Sequence, residues 1–301
     1  AQTTLLLVEP PWRPAVLWER VTLTCQGLGT TSDTTWYKDG QCWGQEGLEN
    51  FTVTETGTYM CDRPSTGRSP TVRASYDWLV LQVPARPLLE GDTVTLHCRG
   101  WKNRSVTQVQ FCHGDEEVSR SPNRTELSLS PLQLHHSGDY HCRGRVYYEV
   151  SGSWVQHKSA PVTVIVHVPV ANATITPGPL SHQVHTGDPV TLRCSVQVGS
   201  APVNFTWLRN NQDVAWGPVL ELGDIDVGHS GTYQCMATNQ LGQDGHCVFR
   251  ALSPELALEV TPGSPWVTGP PRATSPQVTY AELPGPHRRQ RDPSDIYGNI
   301  L

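Results

Sequence analysis

The chain is 301 residues long, with 22 Lys and Arg, 28 Asp and Glu and a formal net charge of −6, the two signs interspersed. That length accommodates two or three domains of ordinary size. The charge balance excludes an acidic tail and the basic stripe that a nucleic-acid backbone requires, so no nucleic-acid partner is expected. Nine Cys, ten Trp, 25 Pro and 26 Gly beside 17% charged residues point to an all-β chain of secreted type, because spaced cysteines persist as bridges only in an oxidising compartment.

Taken in chain order, five Asn-x-Ser/Thr triplets mark glycan acceptors at Asn50, Asn103, Asn123, Asn172 and Asn204, all of them before residue 207. The chain does not begin with a charged and apolar leader, so it is expected to be in mature form. No apolar run reaches 18 residues. The best candidate, PVTVIVHVPV at 161–170, is short, β-branched and interrupted by His167, and it reads as a strand. As written, the chain is expected to span no membrane.

An internal repeat organises the rest. VTLTC at 21–25, VTLHC at 94–98 and VTLRC at 190–194 are one pattern three times, and their alternation places Val, Leu and Cys on one face of a half-buried strand. GTYMC at 57–61, GDYHC at 138–142 and GTYQC at 231–235 answer them. The separations are 36 residues for Cys25 and Cys61, 44 for Cys98 and Cys142, and 41 for Cys194 and Cys235. An aromatic follows each first cysteine: Trp36, Phe111 and Trp207. This Cys…Trp…Tyr-x-Cys spacing resembles the immunoglobulin sandwich, in which a disulfide joins two sheets, the aromatic packs on it and the Tyr hydroxyl returns to backbone at a corner. The resemblance implies those three pairs as bridges, each worth roughly 2–5 kcal/mol.

The fold expected is all-β: three tandem immunoglobulin-like β-sandwich domains at 1–77, 78–166 and 167–261, followed by a disordered tail. The last strand of the third domain is expected at 255–260. A linker rich in Pro, Gly, Ser and Thr occupies 262–276 and cannot bury enough apolar surface to fold. Cys42, Cys112 and Cys247 remain, one per domain. Alternation turns Cys112 away from inward Phe111, onto the outer face. An outward thiol there would offer a cross-link, a half-buried one would be inert, and the odd total leaves at least one thiol without an intrachain partner.

LVEPPW at 7–12, DWLVLQ at 77–82, CRGWKN at 98–103 and HSGDYHC at 136–142 resemble the leukocyte Fc receptor and Fc receptor-like family, over residues 1 to about 260. In that family the Fc of an antibody binds the second domain and the hinge, with a proline slotted between two Trp side chains. Those positions match Trp78 and Trp101. Stacking two indoles on a rigid ring costs little conformational entropy, and truncating such an anchor commonly costs about 2 kcal/mol or more. The resemblance implies further ligand contacts at Lys102, Arg143, Arg145, Tyr147 and Tyr148, within segments rich in the Tyr and Arg favoured at interfaces; residues 116–123 would line the same surface. A glycan on Asn103 would stand two residues from Trp101 and shade the pocket.

In the tail, VTYAEL at 278–283 fits the inhibitory tyrosine motif around Tyr280, and DIYGNI at 295–300 gives an adaptor-type site at Tyr297. Phosphorylation adds nearly two charges for the arginine of a Src-homology domain, so Src-homology phosphatases or adaptors are the partners expected if the tail is cytoplasmic. A family receptor carries a membrane helix close to 262–271. A form without it is expected to be secreted and to act as a decoy, whereas a membrane form would sit at the plasma membrane and dampen activation. The rival reading is a leukocyte immunoglobulin-like or adhesion receptor recognising class I or another cell-surface protein. No nucleophile elbow, phosphate loop or metal spacing is present, so neither enzymatic activity nor a cofactor is expected.

Overall fold

The computed structural model describes residues 4–44, 47–178, 184–241 and 247–263, and they form strands joined by turns and four short 3-10 turns. The tyrosine motifs at Tyr280 and Tyr297 and nearly all of the linker lie outside the described residues. Among the described residues, no helix is long and apolar enough to cross a membrane.

Three β-sandwiches follow one another, each built on the same rule. In the first, Leu5–Glu9, Val21–Gln26 and Asn50–Val53 make one sheet. Gly57–Arg63, Thr35–Lys38 and Val72–Ser75 form the heart of the other. Val21, Leu23 and Cys25 are buried while the residues between them are not, as period-2 alternation requires. The Cys25–Cys61 bridge (2.04 Å) crosses between the sheets, and Trp36 is fully buried among the core residues around it. The second and third sandwiches repeat this with Cys98–Cys142 around Phe111 and Cys194–Cys235 around Trp207. Trp36 and Trp207 each donate their indole N–H to a carbonyl, of Leu48 (2.8 Å) and Gly217 (3.0 Å), which removes the penalty of a buried donor.

Two polar devices recur in all three. Tyr59, Tyr140 and Tyr233 donate their hydroxyls to the carbonyls of Glu55, His136 and His229, four residues back, at 2.8 Å each. Each second bridge cysteine also exchanges hydrogen bonds with a buried serine: Cys61 with Ser69, Cys142 with Ser159 and Cys235 with Ser253. The serine backbone N–H donates to the cysteine carbonyl at 2.8–2.9 Å, and its Oγ accepts from the cysteine N–H at 2.9–3.0 Å.

The 161–170 run is not one strand. Val162–Val164 pairs antiparallel with 138–140, and Val166–His167 pairs parallel with Leu88–Leu89. Pro169, without an N–H, lies past the second piece. Residues 168–170 are held to the third sandwich by Asn239, which accepts from Val170 N (3.1 Å) and donates to the carbonyls of Val168 (3.0 Å) and Ser200 (3.1 Å). The end of the third sandwich is likewise divided, into Leu256–Leu258 and Val260–Thr261.

The first two sandwiches share backbone. Trp12–Arg13 leaves its own domain to pair with Val83 and Pro84 of the second. Buried Gln82 donates to Pro14 O (2.8 Å) and accepts from Arg99 Nη1 (2.9 Å), while Arg99 Nη2 reaches Glu19 at 2.5 Å. This joint fixes where the aromatic residues beside it stand.

Candidate functional site

Strand register brings Trp78 and Trp101 together. Leu79 of Leu79–Pro84 is the cross-strand partner of Gly100 in Val94–Gly100, so the residues just beyond those two ends are adjacent. Trp101 N donates to Trp78 O at 2.9 Å. The chain then turns sharply: Lys102 and Asn103 both take positive φ (51° and 60°), and Arg104 N closes the turn onto Trp101 O (3.1 Å). Gly100 permits this, since a Cβ there would stand 2.6 Å from Arg104 O.

The two indoles, both half-buried, meet at 4.6 Å between ring centroids with planes tilted by 51°. Tyr148, at the end of Gly138–Tyr148, stacks on Trp78 at 4.3 Å and 20°. His157 lies 5.9 Å from both Trp78 and Tyr148, and its Nε2 is 3.1 Å from the Tyr148 hydroxyl. Burial pushes the His157 pKa down. Two cations lie over the indoles: Lys102 Nζ 4.4 Å from the Trp101 ring, and the Arg104 guanidinium 5.0 Å from Trp101 and 5.6 Å from Trp78. On the first-domain side, Tyr76 sits edge-on to Trp101 at 5.7 Å and Trp18 edge-on to Tyr76 at 6.5 Å. A band of six rings therefore runs from the first sandwich across the joint onto the end of the second.

Of the residues that the family resemblance nominates, Trp78, Trp101, Lys102 and Tyr148 are gathered in this band. Arg143, Arg145 and Tyr147 are not: they alternate with Val146 and Tyr148 and so belong to the outer face of the sheet. There Arg143 is flanked by Gln110 and Lys158, and Tyr147 meets Trp154 at 5.2 Å. Trp18, Tyr76, Arg104 and His157 join the band without having been nominated by the family resemblance. Tyr76 had a signal, since it stands two residues before Trp78 at the domain junction; the others depend on the joint and on strand pairing.

A flat ring held between two indoles needs their planes about 7 Å apart, two van der Waals contacts of roughly 3.5 Å each. Trp78 and Trp101 touch directly, so a ligand ring either separates them or packs on the part of the pair that faces solvent. The indole N–H of Trp101 has no hydrogen-bond partner among the described residues. A cavity of about 220 Å³ opens nearby, lined by Arg13, Arg73, Asp77, Leu79, Leu81 and Val162 among others, but neither indole contributes to it.

Cys112 lies on the outer face as alternation requires, yet it is only 3% exposed. Its cross-strand partner His141 is also buried, and the strand register shifts between Phe111 and Cys112. Burial, followed by the charges of Lys158 and Arg143, pushes the His141 pKa down. Cys42 is exposed. Among the acceptor asparagines, Asn103 Oδ1 accepts from Arg99 Nη2 at 2.5 Å, and Asn172 donates to Gln197 Oε1 at 2.5 Å. All five acceptor asparagines are exposed. No cluster of three or more potential metal ligands occurs among the described residues.

Comparison with known proteins places these features in context. Immunoglobulin-domain family models match residues 78–166 and 174–239. The chain is 31% identical over 176 residues to the low affinity immunoglobulin gamma Fc region receptor II of Mus musculus, covering 56% of this chain and 52% of that protein. It is 30% identical over 231 residues to Fc receptor-like A of Homo sapiens, covering 70% and 60%. It is also 27% identical over 253 residues to Fc receptor-like protein 3 of Homo sapiens, covering 78% and 33%. The chain thus spans about three fifths or less of the length of these three relatives.

Proposed function

Because the chain belongs to the Fc receptor and Fc receptor-like family of the immunoglobulin superfamily, and is a receptor rather than an enzyme, we propose that it binds the Fc of an immunoglobulin on the aromatic band at its first joint. The observation that carries this reading is the register-imposed meeting of Trp78 and Trp101, half-buried at 4.6 Å with Lys102 and Arg104 above them. Such a pair offers a rigid, amphipathic anchor, and its neighbouring cations suit a partner that presents backbone carbonyls or carboxylates beside an apolar ring. The names of the matched gamma Fc receptors support this choice of partner.

In a membrane-bound form, phosphorylated Tyr280 and Tyr297 recruit Src-homology phosphatases or adaptors and dampen activation. A form without an anchor occupies Fc without signalling. Glycans on Asn50, Asn103, Asn123, Asn172 and Asn204 and the domain limits given above belong to the same reading.

The test is a binding screen of the purified ectodomain against the Fc of each immunoglobulin class and against class I molecules, repeated with Trp101→Ala. Binding of at least one Fc class, weakened in the variant, is expected. Binding of class I molecules alone, or equal Fc binding by both proteins, would overturn the reading in favour of another kind of leukocyte receptor.

A further inference from the structure

The outer faces of the sandwiches carry one lateral row in equivalent register. It passes through the residue before the core aromatic and the residue after the second bridge cysteine. In the second sandwich this row reads Arg120, Gln110, Arg143, Lys158. In the first, the three positions that pair read Thr35, Asp62, Arg68. In the third it reads Trp216, Thr206, Met236, Leu252. Trp216 is 76% exposed and Leu252 54%, Met236 is half-buried, and Val214, on the same strand as Trp216, is exposed. Three apolar side chains in one row, interrupted by Thr206, are the kind of surface that a protein covers.

The cover is available in the next row of the same face. Asn204 is two residues from Thr206 on one strand, so both side chains point outward, and Asn204 is exposed. Its register partners are Thr238 and, one strand further, Arg250. Trp216 and Met236, the two partners of Thr206, are therefore the diagonal neighbours of Asn204. Diagonal neighbours on a sheet stand about 7–8 Å apart, a gap that the first two sugars of an N-linked chain exceed. Asn204-Phe205-Thr206 is an acceptor triplet. Asn103 and Asn172 are each engaged by a neighbouring side chain instead.

We propose that the N-linked glycan of Asn204 is seated on this row, its proximal sugars laying their C–H faces on the Trp216 indole and on Met236 and turning their hydroxyls to water. Attachment forms a bond from Asn204 Nδ2 to the anomeric carbon of an oligosaccharide carried on a lipid diphosphate. The bond from that carbon to the diphosphate oxygen breaks, the lipid diphosphate leaves, and a base of the transferase takes the amide proton. The glycan is then a built-in cover that keeps the third sandwich from associating through its outer face. The electron-rich indole face and the polarised sugar C–H groups supply the attraction.

The test is hydroxyl-radical footprinting read by mass spectrometry on protein secreted from mammalian cells. Three samples are compared: the wild type, Asn204→Gln, and Asn172→Gln as a control for loss of an unrelated glycan. Peptide mass is expected to show Asn204 glycosylated. Trp216 and Met236 are expected to oxidise several-fold faster in Asn204→Gln and at the wild-type rate in Asn172→Gln. Removing N-glycans from the folded wild-type protein with an amidase gives the same readout without a new folding step. Unmodified Asn204, or unchanged oxidation of Trp216 and Met236 after glycan removal, would overturn the proposal and leave the row open to a protein partner.

Discussion

The second and third sandwiches are alike inside and opposite outside. Both fold around a Cys–Cys bridge with a buried aromatic, a Tyr hydroxyl returned to the carbonyl four residues back, and a serine braced on the second cysteine. On the outer row, Arg120, Arg143 and Lys158 of the second sandwich stand where the third has Trp216, Met236 and Leu252. The inward positions are dictated by packing, which tolerates little change in volume. The outward positions and the strand ends are free to carry a role, and they differ accordingly.

The largest effect should be the same in both sandwiches. Trp207→Ala and Phe111→Ala each remove a fully or nearly fully buried ring and should cost about 3–5 kcal/mol. Denaturant unfolding of each isolated transition would show a clear inequality if the two interiors were built differently.

Next comes a feature that only the second sandwich has, its joint to the first. Arg99→Ala strips buried Gln82 of its donor and Glu19 of its cation, which should cost about 1–3 kcal/mol. Trp18 and Tyr76 should become more accessible to a fluorescence quencher. An unchanged quenching profile would mean that the joint is held by strand pairing alone.

Acid should separate the two sandwiches as well. His136, His141 and His157 of the second have pKa values pushed down, chiefly by burial. Their folded forms favour neutrality, so the unfolded chain binds more protons below the ordinary value of 6.5. Stability is therefore fully present above that pH and falls as pH drops through it. The Tm of the second sandwich should decline from pH 7.5 to 5.5, and His141→Gln should flatten part of that slope. A pH-independent Tm would count against the burial of these rings.

The smallest effect should come from exchanging the outer rows. In protein without the Asn204 glycan, Trp216→Arg gives the third sandwich the residue of the second and should change stability by no more than about 0.5 kcal/mol. A larger loss, measured by thermal unfolding, would mean that the row is part of the scaffold.

Much of the interior was legible because period 2 makes it so. Val94, Leu96 and Cys98 declare a buried face by alternating with polar residues, and Tyr140 two residues before Cys142 declares the corner. The serine braces were not legible, since Ser159 lies 17 residues beyond Cys142 and nothing local marks it. Trp78 and Trp101 were legible as residues but not as a touching pair. Their contact follows from the pairing of Leu79 with Gly100, and pairing is a long-range fact. Alternation could have divided Arg143, Arg145 and Tyr147 from Tyr148, because the strand that carries them is regular. It could not have found the apolar row of the third sandwich: a register shift between Trp207 and Leu208 sets Trp216 opposite Thr206. Cys112 shows the converse, an outward residue by period that its surroundings nonetheless bury.

On the proposed reading, recognition belongs to the ring band at the joint and not to the charged outer face beside it. Titrating one responsive Fc against the wild-type ectodomain, Trp101→Ala and Arg143→Ala tests this directly. Trp101→Ala should weaken binding by about thirtyfold, the equivalent of roughly 2 kcal/mol. Arg143→Ala should change it by only a few-fold, and mainly through its salt dependence. Loss of binding in Arg143→Ala with full binding retained by Trp101→Ala would contradict it.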